Sequence, residues 1–227
     1  MSDKPIITID GPSGAGKSTI SRLLAKRLGF IYLDTGALYR AVAFTLIRRG
    51  FSGEEQEISG FCRDMNLAVK ERSGRLYVFV DGEDVTAKLR TEEIGLMASR
   101  VSAVPEVRKA LLPVQRGIAK DGGVVAEGRD MGTIVFPEAQ IKFYLDASLK
   151  ERVGRRYREL IERGESTSPQ EVETDMLLRD RQDQERAIAP LRPSPDAVIV
   201  DSTNHAILQI VDIMMGIIEN TLHHRQA

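Results

Sequence analysis

The chain's 227 residues carry 32 Lys and Arg against 33 Asp and Glu, a formal net charge of -1, and 42% of them are hydrophobic. That size allows one substantial core with appended lobes, and the near-neutral balance removes any sequence-independent attraction to nucleic acid or an anionic membrane. A single cysteine excludes an internal disulfide or a Cys-rich zinc site, and no apolar run approaches the ~18 residues of a membrane span.

The first predicted element is the apolar run Ile6-Ile7-Thr8-Ile9-Asp10, a strand. It leads into Gly11-Pro12-Ser13-Gly14-Ala15-Gly16-Lys17-Ser18, and a helical pattern opens near Lys17. Strand, glycine-rich loop and helix in that order make a phosphate-binding loop. The glycines let backbone N–H groups turn inward around a polyphosphate, Lys17 adds a point charge, and the Ser18 hydroxyl can hold Mg2+. A chance Gly-rich turn would lack the flanking strand and helix. The loop therefore predicts a nucleoside triphosphate, with Mg2+ arriving on it and bound mostly through phosphates and water.

Leu33-Asp34-Thr35-Gly36-Ala37-Leu38-Tyr39-Arg40 closes a second strand, 30–34, and opens a helix. Thr35 thus lies at an N-terminus that favours anions, with Arg40 about one turn on. A second phosphate site fits there, as does an ordinary capped helix with an exposed arginine. Between Gly50 and Gly122 the pattern changes. Runs 67–70 and 76–81 flank Ser73-Gly74 as hairpin strands do, and a second turn follows at Gly82-Glu83-Asp84. Thr91 opens a helix to about Ala103, and Pro105 suits the first position of another reaching Lys120. This segment reads as an inserted lobe. Within it Cys62 suits a structural thiol in a buried helix, in keeping with a reducing cytoplasm.

Strands at 124–127, 141–146 and 198–201 complete an alternation with helical patterns that predicts an α/β fold with a parallel sheet covered by helices. Several strands end in polar residues (Asp10, Asp34, Glu127 to Asp130, Asp201), at the edge where open α/β sheets hold ligands. There Ala126-Glu127-Gly128-Arg129-Asp130-Met131-Gly132 places Arg129 and Asp130 after a glycine. A surface turn explains Gly and Asp well, and the arginine less well.

Between Arg152 and Arg186 stand eight Arg and no Lys, interleaved with nine Asp or Glu. A solvated surface is also charged, but it has no reason to exclude Lys, whereas bidentate phosphate recognition favours Arg. Arg179, Asp183 and Arg186 share one helix face, and so do Arg152, Arg155 and Arg156. An internal salt-bridge ladder needs the same spacing, so the pattern leaves both readings open. His205 falls at a helix start, and His223 and His224 lie in a polar tail expected to fray, without metal-ligand spacing among them. No nucleophile or proton relay stands out. Arginines from three segments converging on a phosphate-binding edge point to phosphoryl transfer, which needs positioning and charge neutralisation and little else.

Together these motifs resemble the bacterial cytidylate kinases, of the nucleoside monophosphate kinase family, across residues 6–202. Besides GPSGAGKS, the resemblance is carried by LDTGALYR at 33–40, EGRDMGTIVFP at 127–137, FYLDAS at 143–148, RDxxDxxR at 179–186 and APL at 189–191. It implies a P-loop NTPase fold with a five-stranded sheet, and transfer of the γ-phosphoryl group of ATP to CMP or dCMP with Mg2+. It divides the chain into a core of residues 1–60 and 104–227, an antiparallel substrate-binding insertion at 61–103 and a helical lid at 148–190. ATP would be held by Gly11, Pro12, Ser13, Gly14, Ala15, Gly16, Lys17, Ser18 and Thr19, with Arg152, Arg155 and Arg156 from the lid. Thr35, Tyr39, Arg40, Gly128, Arg129 and Arg186 would line the acceptor phosphate, Arg179 and Asp183 its ribose, and Ser99, Arg108 and Asp130 the cytosine. The resemblance gives catalysis to Lys17, Arg40, Arg129 and Arg186, and the metal to Ser18, with Asp34 acting through water.

Chemistry supports the base readers, because cytosine's amine needs an acceptor such as Asp130 and its N3 and O2 need donors such as Arg108. Uracil reverses that upper edge, and a site built for one base rejects the other. Gln182 and Gln184 fall where relatives often carry other polar or charged residues, which leaves the local lid contacts open. Two rival readings remain. Another small-molecule P-loop kinase, for uridylate, adenylate or shikimate, would share the loop but not the cytosine readers. A nucleotide-dependent switch would need no second phosphate site. The expectation is an unprocessed, monomeric cytoplasmic enzyme acting on small molecules, with no nucleic-acid or membrane partner.

Overall fold

A computed structural model describes residues 4–51, 55–72 and 75–226; the expected turn at Ser73-Gly74 and residues 1–3 lie outside the described residues. In chain order, β1 (Ile6–Asp10) leads through the glycine-rich loop into α1 (Lys17–Leu28), then β2 (Ile31–Asp34) and α2 (Thr35–Arg48). There follow α3 (Glu55–Asp64), β3 (Leu67–Arg72), β4 (Arg75–Val80), the short β5 (Glu83–Asp84), α4 (Glu92–Val101) and α5 (Pro105–Ile118). The chain then forms β6 (Val124–Gly128), β7 (Ile141–Asp146), α6 (Leu149–Glu162), α7 (Pro169–Glu185), β8 (Val198–Asp201) and α8 (Ile207–Gln226).

Five strands form one parallel sheet in the order β2-β6-β1-β7-β8, and β3-β4-β5 form a separate antiparallel sheet. The expected fold class is therefore the observed one. The central strand is covered on both faces: Ile7 and Ile9 are fully buried on one, with Leu24, Phe143, Val211 and Met214 of the cluster that includes α1 and α8, and Thr8 is fully buried on the other. From β1 the chain works outward first to β2 and β6, then to β7 and β8. The strand order reverses beside β1, which opens a crevice at the carboxyl ends of the strands. Register aligns those ends, pairing Asp10 with Gly128 and Tyr144, and Asp34 with Glu127.

A second core joins the small sheet to the main body. Leu46 of α2, Ile58 and Phe61 of α3, Val78 and Val80 of β4, Val101 of α4 and Leu111 of α5 are all buried in one cluster. Cys62 is buried on α3, as expected for a structural thiol. Local signals fix the helix starts: Asp34 accepts from the Ala37 N–H, Thr91 from the Ile94 N–H, and α7 opens on Pro169 after a Ser168–Glu171 capping box.

Some boundaries differ from the sequence reading. α4 stops at Val101 and α5 at Ile118, short of Ala103 and Lys120. The tail expected to fray is helical through Gln226, with the His223 Nδ1 2.7 Å from the Glu219 carbonyl.

The loop leaves β1 pressed against β7. Gly11 has φ 149°, and a Cβ there would meet the Leu145 carbonyl oxygen at 2.0 Å, against backbone that cannot yield. Gly29, at φ 65° past the end of α1, faces open space. Urea unfolding of Gly29→Ala is therefore expected to show a loss of ~1–2 kcal/mol. Gly11→Ala should lose ~3 kcal/mol or more, because a clash is added to the strain. Equal losses would contradict the close approach.

Candidate active site

Positive φ at Gly14 (74°) and at Gly16 (96°), the residue before α1, curls the backbone N–H groups of the loop inward. Lys17 is 7% exposed and its Nζ donates to the Pro12 carbonyl at 2.6 Å, so the side chain folds back across the loop. Burial first, then the neighbouring Arg129, pulls the Lys17 pKa down to about 7, against Glu127, Asp183 and Asp10. Such an ammonium is held loosely until an anion arrives. Ser18 and Thr19 are exposed beside it.

Two strand-end carboxylates lie across from this loop. Glu127, 3% exposed at the end of β6, accepts from the Tyr32 hydroxyl and from Ser18. Burial, and after it the adjacent Asp34, raises its pKa. Asp34 caps α2 and pairs with Arg40 Nη2 at 2.7 Å. Ser18, Glu127 and Asp34 form an all-oxygen set suited to a hard cation. Among the described residues no group of three or more His, Cys, Asp or Glu could hold a metal alone, so an ion here must bring further oxygen ligands.

Asp10, ending β1, accepts from the backbone N–H groups of Met131 and Gly132, each at 2.8 Å. Burial raises its pKa to about 6 even so. These bonds pin a π-helical turn, Met131–Val135, in which Val135 N–H reaches back to the Asp130 carbonyl at 3.1 Å. Arg129 and Asp130 lie immediately before the pinned turn. Arg129 Nε donates to Asp183 Oδ2 at 2.6 Å. Asp130, 2% exposed, pairs with Arg108 and lies 3.6 Å from Arg186 Nη2; burial raises its carboxyl and the two guanidiniums oppose that. Arg108 stacks over the Tyr39 ring at 5.6 Å and also donates to the Ser102 carbonyl at 3.1 Å. Arg186 donates to the Ala189 carbonyl (2.7 Å) and to Ser102 Oγ (2.9 Å). Thr35 Oγ1 donates to the Glu127 carbonyl at 2.7 Å, and a Cβ on Gly128 would meet that Oγ1 at 2.8 Å.

Helices α6 and α7 close the crevice. Arg152 grips the loop through the Ser13 carbonyl (3.1 Å), and Arg155 through the Ala15 carbonyl (3.3 Å) and Ser202 (2.7 Å to its carbonyl). Arg156 pairs with Glu92, whose other oxygen lies 3.7 Å from Arg179 Nη1. Burial, then Arg156 and Arg129, lowers the Arg179 pKa to about 10. Ser99 donates to Gln182 at 3.0 Å, and a Cβ on Gly95 would meet Arg179 Nη2 at 1.9 Å, so α7 lies hard against α4.

The residues picked from the sequence thus fall into two adjoining groups at one sheet edge. Lys17 and the loop stand with Arg129 and Asp183, while Arg108 and Arg186 both donate to Ser102 and flank Asp130, with the Tyr39 ring under Arg108. Arg40 is held by Asp34, and Ser99 is engaged by Gln182. Sequence reasoning gave no role to Asp10, Glu127, Glu92, Asp180 or Ser202. Asp10 and Glu127 carried a signal, as charged residues ending apolar strands; the others had none.

A parallel sheet of this order with a glycine-rich loop after its central strand defines a P-loop nucleotide-binding protein of the α/β class. A family model described as cytidylate kinase matches residues 7–220. A cytidylate kinase from Citrifermentans bemidjiense is 48% identical over 223 residues, covering 98% of this chain and 94% of the relative. One from Geobacter sulfurreducens is 47% identical over 214 residues, covering 94% and 92%. A solved structure of an uncharacterised protein from Eubacterium ventriosum shares the fold alone, at 10% identity and a TM-score of 0.51 over 95% of this chain and 99% of that one. The chain belongs to the cytidylate kinase family.

Burial of Lys17 has a measurable consequence. Its ordinary pKa of 10.5 in the unfolded chain falls to about 7 on folding, so the folded state binds fewer protons between those values and stability rises with pH there. Denaturant unfolding from pH 7 to 9 should therefore show the wild type gaining on Lys17→Met by up to ~1.4 kcal/mol per pH unit. A constant difference would contradict the burial of the charge.

Proposed function

We propose that this chain transfers the γ-phosphoryl group of ATP to CMP or dCMP, giving CDP or dCDP. Family membership supports the reaction, and one observation carries the acceptor site. The arginine N–H groups that are buried without a hydrogen-bond partner, among the described residues, belong to Arg40 (Nε), Arg179 (Nε) and Arg186 (Nη2). Buried donors without partners call for an absent ligand. Three of them on residues of one crevice suit an anionic nucleotide.

In this reading residues 11–19 cradle the ATP phosphates, with Arg152, Arg155 and Arg156 closing over them. Thr35, Tyr39, Arg40, Gly128, Arg129 and Arg186 seat the acceptor phosphate, Arg179 and Asp183 the ribose, and Ser99, Arg108 and Asp130 the base. Residues 61–103 act as the substrate insertion and 148–190 as the lid. Lys17, Arg40, Arg129 and Arg186 neutralise charge on the group in transfer, and the closed lid keeps water from taking it. Mg2+ entering with ATP would be held by Ser18, with Glu127 and Asp34 through water, and would shield the phosphate oxygens. Among the described residues no helix is long and apolar enough to cross a membrane. A monomeric cytoplasmic enzyme that acts on small molecules, without nucleic-acid or membrane partners, completes the proposal.

A coupled assay across nucleoside monophosphates should give CMP the highest kcat/KM, with UMP and AMP at least ~100-fold lower. Equal turnover of UMP would remove Arg108 and Asp130 as base readers. By calorimetry, Arg40→Ala and Arg186→Ala should each weaken CMP binding at least ~10-fold; unchanged affinity in both would favour a nucleotide switch.

Lys17→Ala should lower kcat by orders of magnitude while the fold survives. In the wild type, kcat/KM for ATP reports the free enzyme and should fall as pH rises above about 7, where Lys17 loses its proton. The kcat, measured with phosphates holding that proton in place, should stay level to higher pH.

A further inference from the structure

One carboxylate on α7 faces the donor loop instead of the acceptor. Asp180, 7% exposed, accepts at Oδ1 from the Ser13 N–H (3.3 Å) and pairs through Oδ2 with Arg152 Nη1 (2.5 Å). Arg152, 8% exposed, also donates from Nε to the Ala147 carbonyl (3.1 Å) and from Nη1 to the Ser13 carbonyl (3.1 Å). This buried pair ties together the loop, the turn after β7 and the middle of α7. Three residues further along the same helix, Asp183 holds Arg129 at 2.6 Å. Helix α7 is therefore fastened to the donor side at Asp180 and to the acceptor side at Asp183, less than one helical turn apart.

We propose that Asp180 is a positioning residue for phosphoryl transfer: through Arg152 it fixes α7 against the phosphate loop and so sets the spacing between donor and acceptor. This rests on the function proposed above. Asp180 touches neither the transferred group nor the acceptor in that reading, so its effect is on alignment. In-line transfer is sensitive to alignment, and a misplacement of ~1 Å costs on the order of 100-fold in rate. Asp180 also orients Arg152, whose Nε and Nη1 donate to the Ala147 and Ser13 carbonyls beside the ATP phosphates.

Asp180→Asn keeps the shape and an acceptor for the Ser13 N–H but loses the charge pair with Arg152. Steady-state kinetics with ATP and CMP should show kcat falling ~10–100-fold with both KM values within ~3-fold, since binding groups remain and alignment is lost. ADP should form in excess of CDP as water competes. The Arg152→Lys variant keeps the charge but not the planar fork; it should lower kcat likewise and also raise the KM for ATP, since Arg152 closes over the ATP phosphates in the proposed function, and the double variant should be no slower than the worse single one. A kcat within 2-fold of wild type, a defect in KM alone, or multiplied losses in the double variant would overturn the proposal. The wild type measured alongside separates the two claims: absent CMP turnover there would defeat the proposed function and this role with it, while normal turnover in wild type and Asp180→Asn alike would defeat only the role of Asp180.

Discussion

Guanidinium groups held by carboxylates from other segments of the chain are the interaction on which this molecule's crevice depends. A buried cation without a partner is costly, and a cleft full of arginines would not close by itself. Here Arg129 meets Asp183, Arg108 and Arg186 flank Asp130, Arg152 meets Asp180, and Arg156 and Arg179 share Glu92. These pairs add little to stability, since charge burial and Coulomb attraction largely cancel. They set positions. Burial, and after it the neighbouring guanidiniums, lowers the pKa values of Lys17 and Arg179, and some arginine N–H groups still lack partners.

The sheet is what makes such pairing possible. Because its strands are parallel and in register, Asp10, Asp34 and Glu127 end at one level, next to the loop. Asp10 then converts a strand end into a support by holding the π-helical turn that follows Arg129 and Asp130. The small antiparallel sheet and α4 share a core with α2 and α5, so the Glu92 and Ser99 contacts are carried on a supported lobe. Helices α6 and α7 bring their own small core of Val153, Leu160, Val172 and Met176. Their charged faces are thereby free to turn toward the loop and the inserted lobe.

Much of this could be read from the sequence where a local rule governs. The phosphate loop, the strands, the Thr91 cap and Pro105 at a helix start are set by neighbours in the chain, and they appear as expected. The turn at Met131–Val135 could not be read, because its residues look like a strand and its geometry comes from Asp10, far away in sequence. Helical spacing left open whether Arg179, Asp183 and Arg186 pair among themselves. They do so only weakly, at 4.0 Å between Arg186 and Asp183, while Asp183 gives its short bond to Arg129. Ladder pairs do occur on the exposed side, as between Arg181 and Glu185. Pattern identifies a charged face, but only tertiary packing chooses the partner. For the same reason Glu92 and Asp180 looked like ordinary surface acids.

Phosphoryl transfer at this edge requires donor and acceptor nucleotides to lie end to end across it. The most direct test is calorimetry with adenosine and cytidine joined through a five-phosphate chain, titrated into the protein alone and in the presence of ATP or of CMP. One molecule should bind per chain, and saturating ATP or CMP should each displace it. Two molecules per chain, or displacement by ATP with no effect of CMP, would contradict a continuous site.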